Sequence, residues 1–317
     1  MDKILITGAL GQIGSELTEK LRDMHGTDNV IASSRREKEE QKELIESGPF
    51  EILDISNGEA ISEIVKKHNV KKIVNLAAIL SAVGEQNPMA CWNVNMNGLI
   101  NILEVGKDEG CQVFTPSSIA AFGPNTPADN TPQDTIQRPN TMYGVTKVSG
   151  ELLCDYYHSK FGVDTRGVRF PGLISYKTLP GGGTTDYAVH IYYDAIKHKK
   201  YESFIAEGTK MDMMYMPDAI DSIVQLMNAD SDKLIHRNAF NVTAMSFDPE
   251  TLKESIQKHI PEFELTYDVD PERQAIADSW PNSLDDTAAR EEWGWEPKYD
   301  LDKMTEDMLE KLGEKLK

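Results

Sequence analysis

Cysteine is scarce: only Cys91, Cys111 and Cys154 occur in 317 residues. An odd number at wide spacing builds neither a disulfide framework nor a CxxC pair. The seven histidines form no HxH or HExxH pair, so no metal site is expected. No stretch approaches the roughly 18 apolar residues that a membrane-spanning helix needs. The start, MDKILITGALG, lacks a basic segment followed by an apolar one. It does not read as a signal peptide, and the cytoplasm is the expected compartment. Positive charge is also short, with 33 Lys and Arg against 52 Asp and Glu, a net charge of −19 and a pI near 4.8. Such a surface repels nucleic-acid backbones and anionic lipid, so neither is an expected partner. Small ligands remain, and an anionic one needs a local positive pocket. No period of about 20–50 residues and no low-complexity tract is found. What is there is globular: 39% apolar and 27% charged residues, enough for one large α/β domain with or without a smaller lobe.

The first half alternates strand and helix. Lys3–Thr7 is a short apolar run closed by Gly8, and Ile13, Leu17 and Leu21 then recur at helical spacing. Val30–Ala32, Glu51–Leu53, Lys72–Leu76, Cys111–Thr115 and Thr165–Phe170 read as further strands. Helices are expected around Ile61–Val65, from Pro88 to about Glu109, and from Tyr143 to about His158, and Arg35–Glu46 reads as a charged, solvated helix. This βαβ series predicts an α/β fold: a doubly wound parallel sheet of Rossmann type with helices on both faces. Residues 1–173 are read as the dinucleotide-binding domain, with later segments returning to it. Residues 174–317 are read as mainly a smaller α/β substrate lobe.

Three segments carry chemistry. Thr7-Gly8-Ala9-Leu10-Gly11-Gln12-Ile13-Gly14 lies between the first strand and the first helix, where glycines admit a pyrophosphate and the helix start offers free N–H groups. The spacing is GxxGxxG, not GxGxxG. The acid expected after the second strand, which would hold both ribose hydroxyls, is absent. Ser33-Ser34-Arg35-Arg36 stands there instead and either accepts a 2′-phosphate or simply begins the charged helix. These residues alone lean towards NADP. Asp54, with Ile55, either meets the adenine or caps a helix.

Tyr143 and Lys147 stand at i and i+4, on one helical face. A free phenol has a pKa near ~10, and a neighbouring ammonium favours its phenolate. Such a pair takes a proton from an alcohol while hydride leaves the same carbon. Ser118, 25 residues before Tyr143, lies at a strand end from which its hydroxyl can reach the same oxygen. Asn95 either holds the lysine through water or is a satisfied core amide. The loop Pro180-Gly181-Gly182-Gly183, followed by Thr184-Thr185, either cradles a carboxylate with N–H and hydroxyl groups or is a surface loop. Asp186 meets an ammonium or caps a helix, and Trp280 walls a pocket or belongs to the core. Met213–Met216 reads as packing.

Taken together, TGxxGxxG, Asn95, SSIAAFG, YGVTK and RFPG resemble the extended short-chain dehydrogenase/reductases over nearly the whole chain. Asp286, Ala289, Arg290, Trp293-Gly294-Trp295 and Pro297 resemble the C-terminal pattern of that group. Within it, GALGQIGSEL, SSIAAFGP, MYGVTKVSGELL, RFPGLIS, LPGGGTTDYA, MMYMPDAI and DSWPNSLDD, in this order, resemble the short-chain L-threonine 3-dehydrogenases. The resemblance implies NAD-dependent oxidation of L-threonine to 2-amino-3-oxobutyrate, and homodimers formed through helices that include the tyrosine helix. Carried over by motif, Ser118, Tyr143 and Lys147 are catalytic. Gly8, Gly11 and Gly14, flanked by Gln12 and Ile13, take the pyrophosphate. Ser34, Arg35, Asp54, Ile55, Leu76, Ala77 and Ala78 surround the adenosine, and Asn95, Pro171 and Leu173 complete the cofactor site. Ser81, Gly183, Thr184, Thr185 and Trp280 surround the amino acid. Ser34 departs from the family, which usually has Asp there, so NADP is not excluded.

Two other readings compete. A nucleotide-sugar epimerase or dehydratase is the first. Dehydratases need an acid beside the hydroxyl residue, and here Ser118 is followed by Ile119 and Ala120. An epimerase must hold a diphosphate in the C-terminal lobe, where no clear basic cluster is found. A catalytically silent dinucleotide-binding module is the second, and such a protein usually loses the Tyr or the Lys.

Overall fold

The computed structural model describes residues 2–179 and 181–317. Pro180, part of the expected glycine loop, lies outside the described residues. Among the described residues no helix is long and apolar enough to cross a membrane.

The chain divides into two units. The first comprises Met1–Ala121, Thr141–Arg169 and Ile220–Phe240. Its elements begin with β1 (Lys3–Thr7), α1 (Gln12–His25), β2 (Val30–Ser34), α2 (Lys42–Glu46), β3 (Phe50–Ile52), α3 (Gly58–His68) and β4 (Val70–Asn75). They continue with α4 (Ser81–Gln86), α5 (Pro88–Trp92), α6 (Gly98–Glu109), β5 (Gln112–Phe114), β6 (Ser117–Ser118), α7 (Met142–Phe161), β7 (Thr165–Arg166) and β8 (Val168–Phe170). Six strands form one parallel sheet in the order β3-β2-β1-β4-β5-β7. This is the doubly wound fold that the βαβ series predicts.

Apolar strand faces explain its burial. Leu5, Ile31, Ile73 and Val113 are completely buried, and Ile61, Leu99, Ile102 and Cys154 of the covering helices pack over them. In register, Thr7 stands beside Ser33 on β2 and Asn75 on β4. The three strands therefore end level, and their following loops leave from one edge of the sheet, where open α/β sheets bind ligands.

Three expected elements differ. Arg35–Glu46 is not one helix: Arg35–Lys38 is irregular, Glu39–Gln41 is a single tight turn, and only α2 is α-helical. Leu44 is the only buried apolar side chain in that stretch, too little to hold a longer helix on the sheet. The Pro88–Glu109 helix is broken by a π-helical turn at Asn93–Asn97, between α5 and α6. The Thr165–Phe170 strand splits at Gly167, so that β7 joins the large sheet and β8 a second one.

The second unit comprises Phe122–Asn140, Phe170–Ala219 and Asn241–Lys317. In chain order the elements from Gly172 onward are β9 (Gly172–Ile174), α8 (Tyr187–His198), β10 (Lys200–Ser203), β11 (Met211–Tyr215), α9 (Met216–Asn228), which from Ile220 on belongs to the first unit, and β12 (Phe240–Asn241). Then follow β13 (Met245–Phe247), α10 (Pro249–Gln257), β14 (Glu264–Tyr267), α11 (Pro271–Ala277), α12 (Thr287–Trp293) and α13 (Leu301–Lys315). The three-stranded sheet β13-β11-β9 and the parallel pair β10-β14 make its strand layer. Tyr187, Tyr192, Met211, Met213, Phe247, Met304 and Met308 form its core, so the methionine string serves packing.

Candidate active site

The first unit builds a nucleotide-shaped cleft from its backbone. Gly8 has φ +69°, and a Cβ there would stand 2.8 Å from the Ala77 nitrogen. A Cβ at Gly14 would be driven into the Gly8 carbonyl oxygen. Glycine is required at both positions by close backbone approach. The Gly11 N–H donates to the Gly8 carbonyl at 2.9 Å, and the turn leads straight into α1. Gly11 caps α1 without a side chain, and no acid lies in the first turn. The Gln12, Ile13 and Gly14 N–H groups are therefore presented outward, where the helix dipole favours an anion.

Beside the turn lies a cavity of about 290 Å³. Gly8 and Gly11, Ser34 and Arg35, Asp54 and Ile55, and Leu76, Ala77 and Ala78 all line it. The structure thus gathers around one cavity nine residues that the sequence scatters over four loops. Arg36, read from sequence as a 2′-phosphate candidate, lines it too, and the structure adds Lys38, Leu10 and Val94, which the sequence reading did not assign. Asp54 accepts the Ser56 N–H at 2.9 Å and sits in the turn before α3, whose cap is Asn57. The residues present fit a dinucleotide: a glycine turn that a Cβ would fill, a helix start without its own acid, and a cavity at the strand ends.

The second cluster stands on α7. Thr141 caps this helix by accepting the Gly144 N–H at 3.1 Å. Tyr143, Lys147 and Glu151 follow at spacings of four and share a face. The Lys147 Nζ lies 5.3 Å from the centre of the Tyr143 ring and donates to the Pro116 carbonyl at 2.7 Å. The Ser117 hydroxyl donates to Glu151, which pairs at 2.9 Å with Arg169. Glu151 and Arg169 are both 7% exposed, so this is a buried pair with its charges matched. Two residues of α7 thus grip Pro116 and Ser117, and Ser118, half-buried, follows directly on β6. The Ser118 hydroxyl accepts the Ala120 N–H at 3.2 Å. Glu151 and Arg169 were not assigned roles from sequence, although a Glu on the Tyr-Lys face is the signal that would have found them.

Asn95 lies in the π turn, a feature that often marks functional helices. Its side chain accepts the Ile79 N–H at 2.8 Å and donates to the Ile79 carbonyl at 3.0 Å and to the Thr146 hydroxyl at 3.1 Å. Thr146 in turn donates to the Tyr143 carbonyl at 2.8 Å. The amide is thus fully engaged, and it ties the loop after β4 to the helix turn between Tyr143 and Lys147. Ser81, buried at the start of α4, follows that loop.

The remaining expected residues belong to the second unit. Thr184 is buried, while Thr185 packs against the Gly172 backbone at the head of β9, next to Pro171 and Leu173. Trp280 is half-buried against the core of that unit. The glycine loop corrects one expectation. Two of its N–H groups are taken: the Asp186 carboxylate accepts from Gly182 at 2.8 Å and from Gly183 at 2.5 Å. Asp186 is buried, and burial raises its pKa, while these backbone hydrogen bonds stabilise the carboxylate and oppose the shift.

Residues 4–242 match the model of the NAD dependent epimerase/dehydratase family. The chain is 70% identical to L-threonine dehydrogenase from Clostridium difficile, whose X-ray structure covers 99% of this chain and is covered to 98%, with a TM-score of 0.98. It is 58% identical to an uncharacterized epimerase/dehydratase of Staphylococcus haemolyticus, over 99% of each chain. It is also 47% identical to a monomeric L-threonine 3-dehydrogenase from a metagenome, covering 99% of this chain and 100% of that one, with a TM-score of 0.94.

Proposed function

Since the chain belongs to the NAD dependent epimerase/dehydratase family, we propose that it oxidises the 3-hydroxyl of L-threonine to 2-amino-3-oxobutyrate, with NAD as hydride acceptor. One observation carries the reading: Tyr143 and Lys147 share a helical face, with the ammonium 5.3 Å from the ring centre and bonded to the Pro116 carbonyl, two residues before Ser118. The names of the solved relatives, at 70% and 47% identity, support threonine as the substrate.

Bound in the cleft, the oxidised nicotinamide supplies the hydride acceptor. Gly8, Gly11, Gly14 and the α1 start would hold its pyrophosphate, and Leu76, Ala77 and Ala78 would underlie the adenosine. The Tyr143 oxygen takes the proton of the substrate hydroxyl as the C–H electron pair leaves the same carbon and the C=O bond forms. Lys147 places positive charge beside that oxygen. Ser118 donates a hydrogen bond that orients the reacting oxygen. Ser81, Gly183, Thr184, Thr185 and Trp280 are assigned to the amino-acid end.

The direct test follows absorbance at about 340 nm with L-threonine and NAD or NADP, and with UDP-sugars as the competing substrate class. Turnover of L-threonine supports the assignment; turnover of UDP-sugars alone sinks it. Tyr143→Phe should lower kcat by roughly 100-fold or more while nucleotide binding persists. A variant with near-full turnover would refute the role of Tyr143.

We also propose a homodimer through α7. Val145, Leu152 and Tyr156 recur at helical spacing and are 39%, 62% and 51% exposed, an apolar stripe on the outer face of the helix. Leu152→Glu should shift the sedimentation coefficient to that of a monomer. A wild type that already sediments as a monomer, as the metagenomic relative's name would suggest, removes this proposal.

A further inference from the structure

We propose that the chain end of β2 is a phosphate site: Arg35, Arg36 and Lys38 accept the 2′-phosphate of NADP, so that the cleft takes NADP as well as NAD. This rests on the dinucleotide reading of the cleft. Three observations carry it. First, all three cations line the same cavity as Gly8 and Gly11. Second, neither arginine has an ion-pair or hydrogen-bond partner among the described residues, and Lys38 makes only a 3.1 Å bond to the Leu10 carbonyl. In a chain with 52 acids against 33 bases, three cations together without a carboxylate partner run against the average surface. Third, Arg35–Lys38 is irregular rather than helical, which leaves the side chains at the cavity instead of spreading them round a solvated helix.

The local chemistry agrees. An acid at the end of β2 would hold both ribose hydroxyls and repel a phosphate there. Ser34 occupies that place, half-buried, and brings a neutral hydroxyl. Asp54 also lines the cavity, but it follows β3 and its carboxylate accepts the Ser56 N–H. Guanidinium groups match phosphate oxygens in planar, paired fashion.

The experiment measures binding of 2′,5′-ADP and of 5′-ADP by calorimetry, without substrate or turnover. The wild type should bind 2′,5′-ADP at least as tightly as 5′-ADP, and more weakly as salt rises. In Arg35→Ala/Arg36→Ala the ratio of the two affinities should shift against 2′,5′-ADP by about tenfold or more. Ser34→Asp should shift it the same way. All these positions are exposed or half-buried, so the fold is not at risk. Binding of 5′-ADP with rejection of 2′,5′-ADP overturns the phosphate site alone, as does a ratio unmoved in the double variant. If neither nucleotide binds, the cleft assignment falls and takes this proposal with it.

Discussion

Two glycine-rich loops lead into helices, one in each unit, and they end up with opposite uses for their N–H groups. Gly8–Gly14 enters α1 with no acid in the first turn, so no side chain of that turn takes the N–H groups at the helix start, and Gly8, Leu10 and Gly11 border an open cavity. Gly181–Gly183 enters the turn before α8 with Asp186 three residues on, and that carboxylate takes two of the loop's N–H groups. A helix start attracts negative charge in either case. What differs is whether the chain supplies the anion itself or leaves the place for a ligand. A glycine-rich string is therefore informative only when read with the first turn that follows it.

The largest expected effect comes from filling the first loop. Gly14→Ala drives a methyl into the Gly8 carbonyl, where only backbone can give way. It should cost about 3 kcal/mol or more of stability, read from the denaturant midpoint, and abolish nucleotide binding. An unaltered midpoint would show that the turn is looser than described. Making the loops alike is next. Gln12→Asp puts a carboxylate into the first turn of α1 and should weaken dinucleotide affinity roughly 10- to 100-fold. Unchanged affinity in titration would mean that the pyrophosphate does not sit at this helix start.

The reverse change is milder. Asp186→Ala frees the Gly182 and Gly183 N–H groups at a cost of about 1–3 kcal/mol. Amide hydrogen exchange at both glycines should quicken and KM for threonine should move, with kcat less affected. Protection as strong as in the wild type would show that another group holds the loop.

The smallest effect contrasts two buried acids. Glu151 has the Arg169 guanidinium beside it, whereas Asp212 is fully buried and is held by hydrogen bonds, among them those from Thr243 at 2.6 Å and the Leu284 N–H at 2.8 Å. Burial pushes the Asp212 carboxyl up to about 8. The folded form keeps a proton that the unfolded chain releases near pH ~4. Stability from this group is thus full at acid pH and declines between about pH 4 and about pH 8. Asp212→Asn should flatten that part of the pH profile of the unfolding midpoint. A profile identical to the wild type would mean that Asp212 is ionised when folded.

How much of this was legible varies by interaction range. The parallel sheet was readable because buried strands show as apolar runs and α1 and α7 as four-residue spacings. Tyr143 and Lys147 were readable because helical geometry fixes i and i+4 neighbours. The Arg35–Glu46 helix was misread because propensity and charge pattern say nothing of the burial that a helix needs. The π turn at Asn95 escaped because nothing in the local spacing marks it, and the Asn95 side chain bonds Ile79, on another loop.

Local rules alone thus settled the alternation of strands and helices in the first half of the chain, the glycine turn into α1 and the paired Tyr and Lys, since each depends on residues within a few positions. Tertiary structure decided what those pieces face. It brought Arg36 and Lys38 to the cavity, locked Ser117 to Glu151 and Arg169, and filled the second glycine loop with Asp186. Whether a polar group stays open for a ligand depends on its neighbours in space, and those are set only when the whole chain has folded.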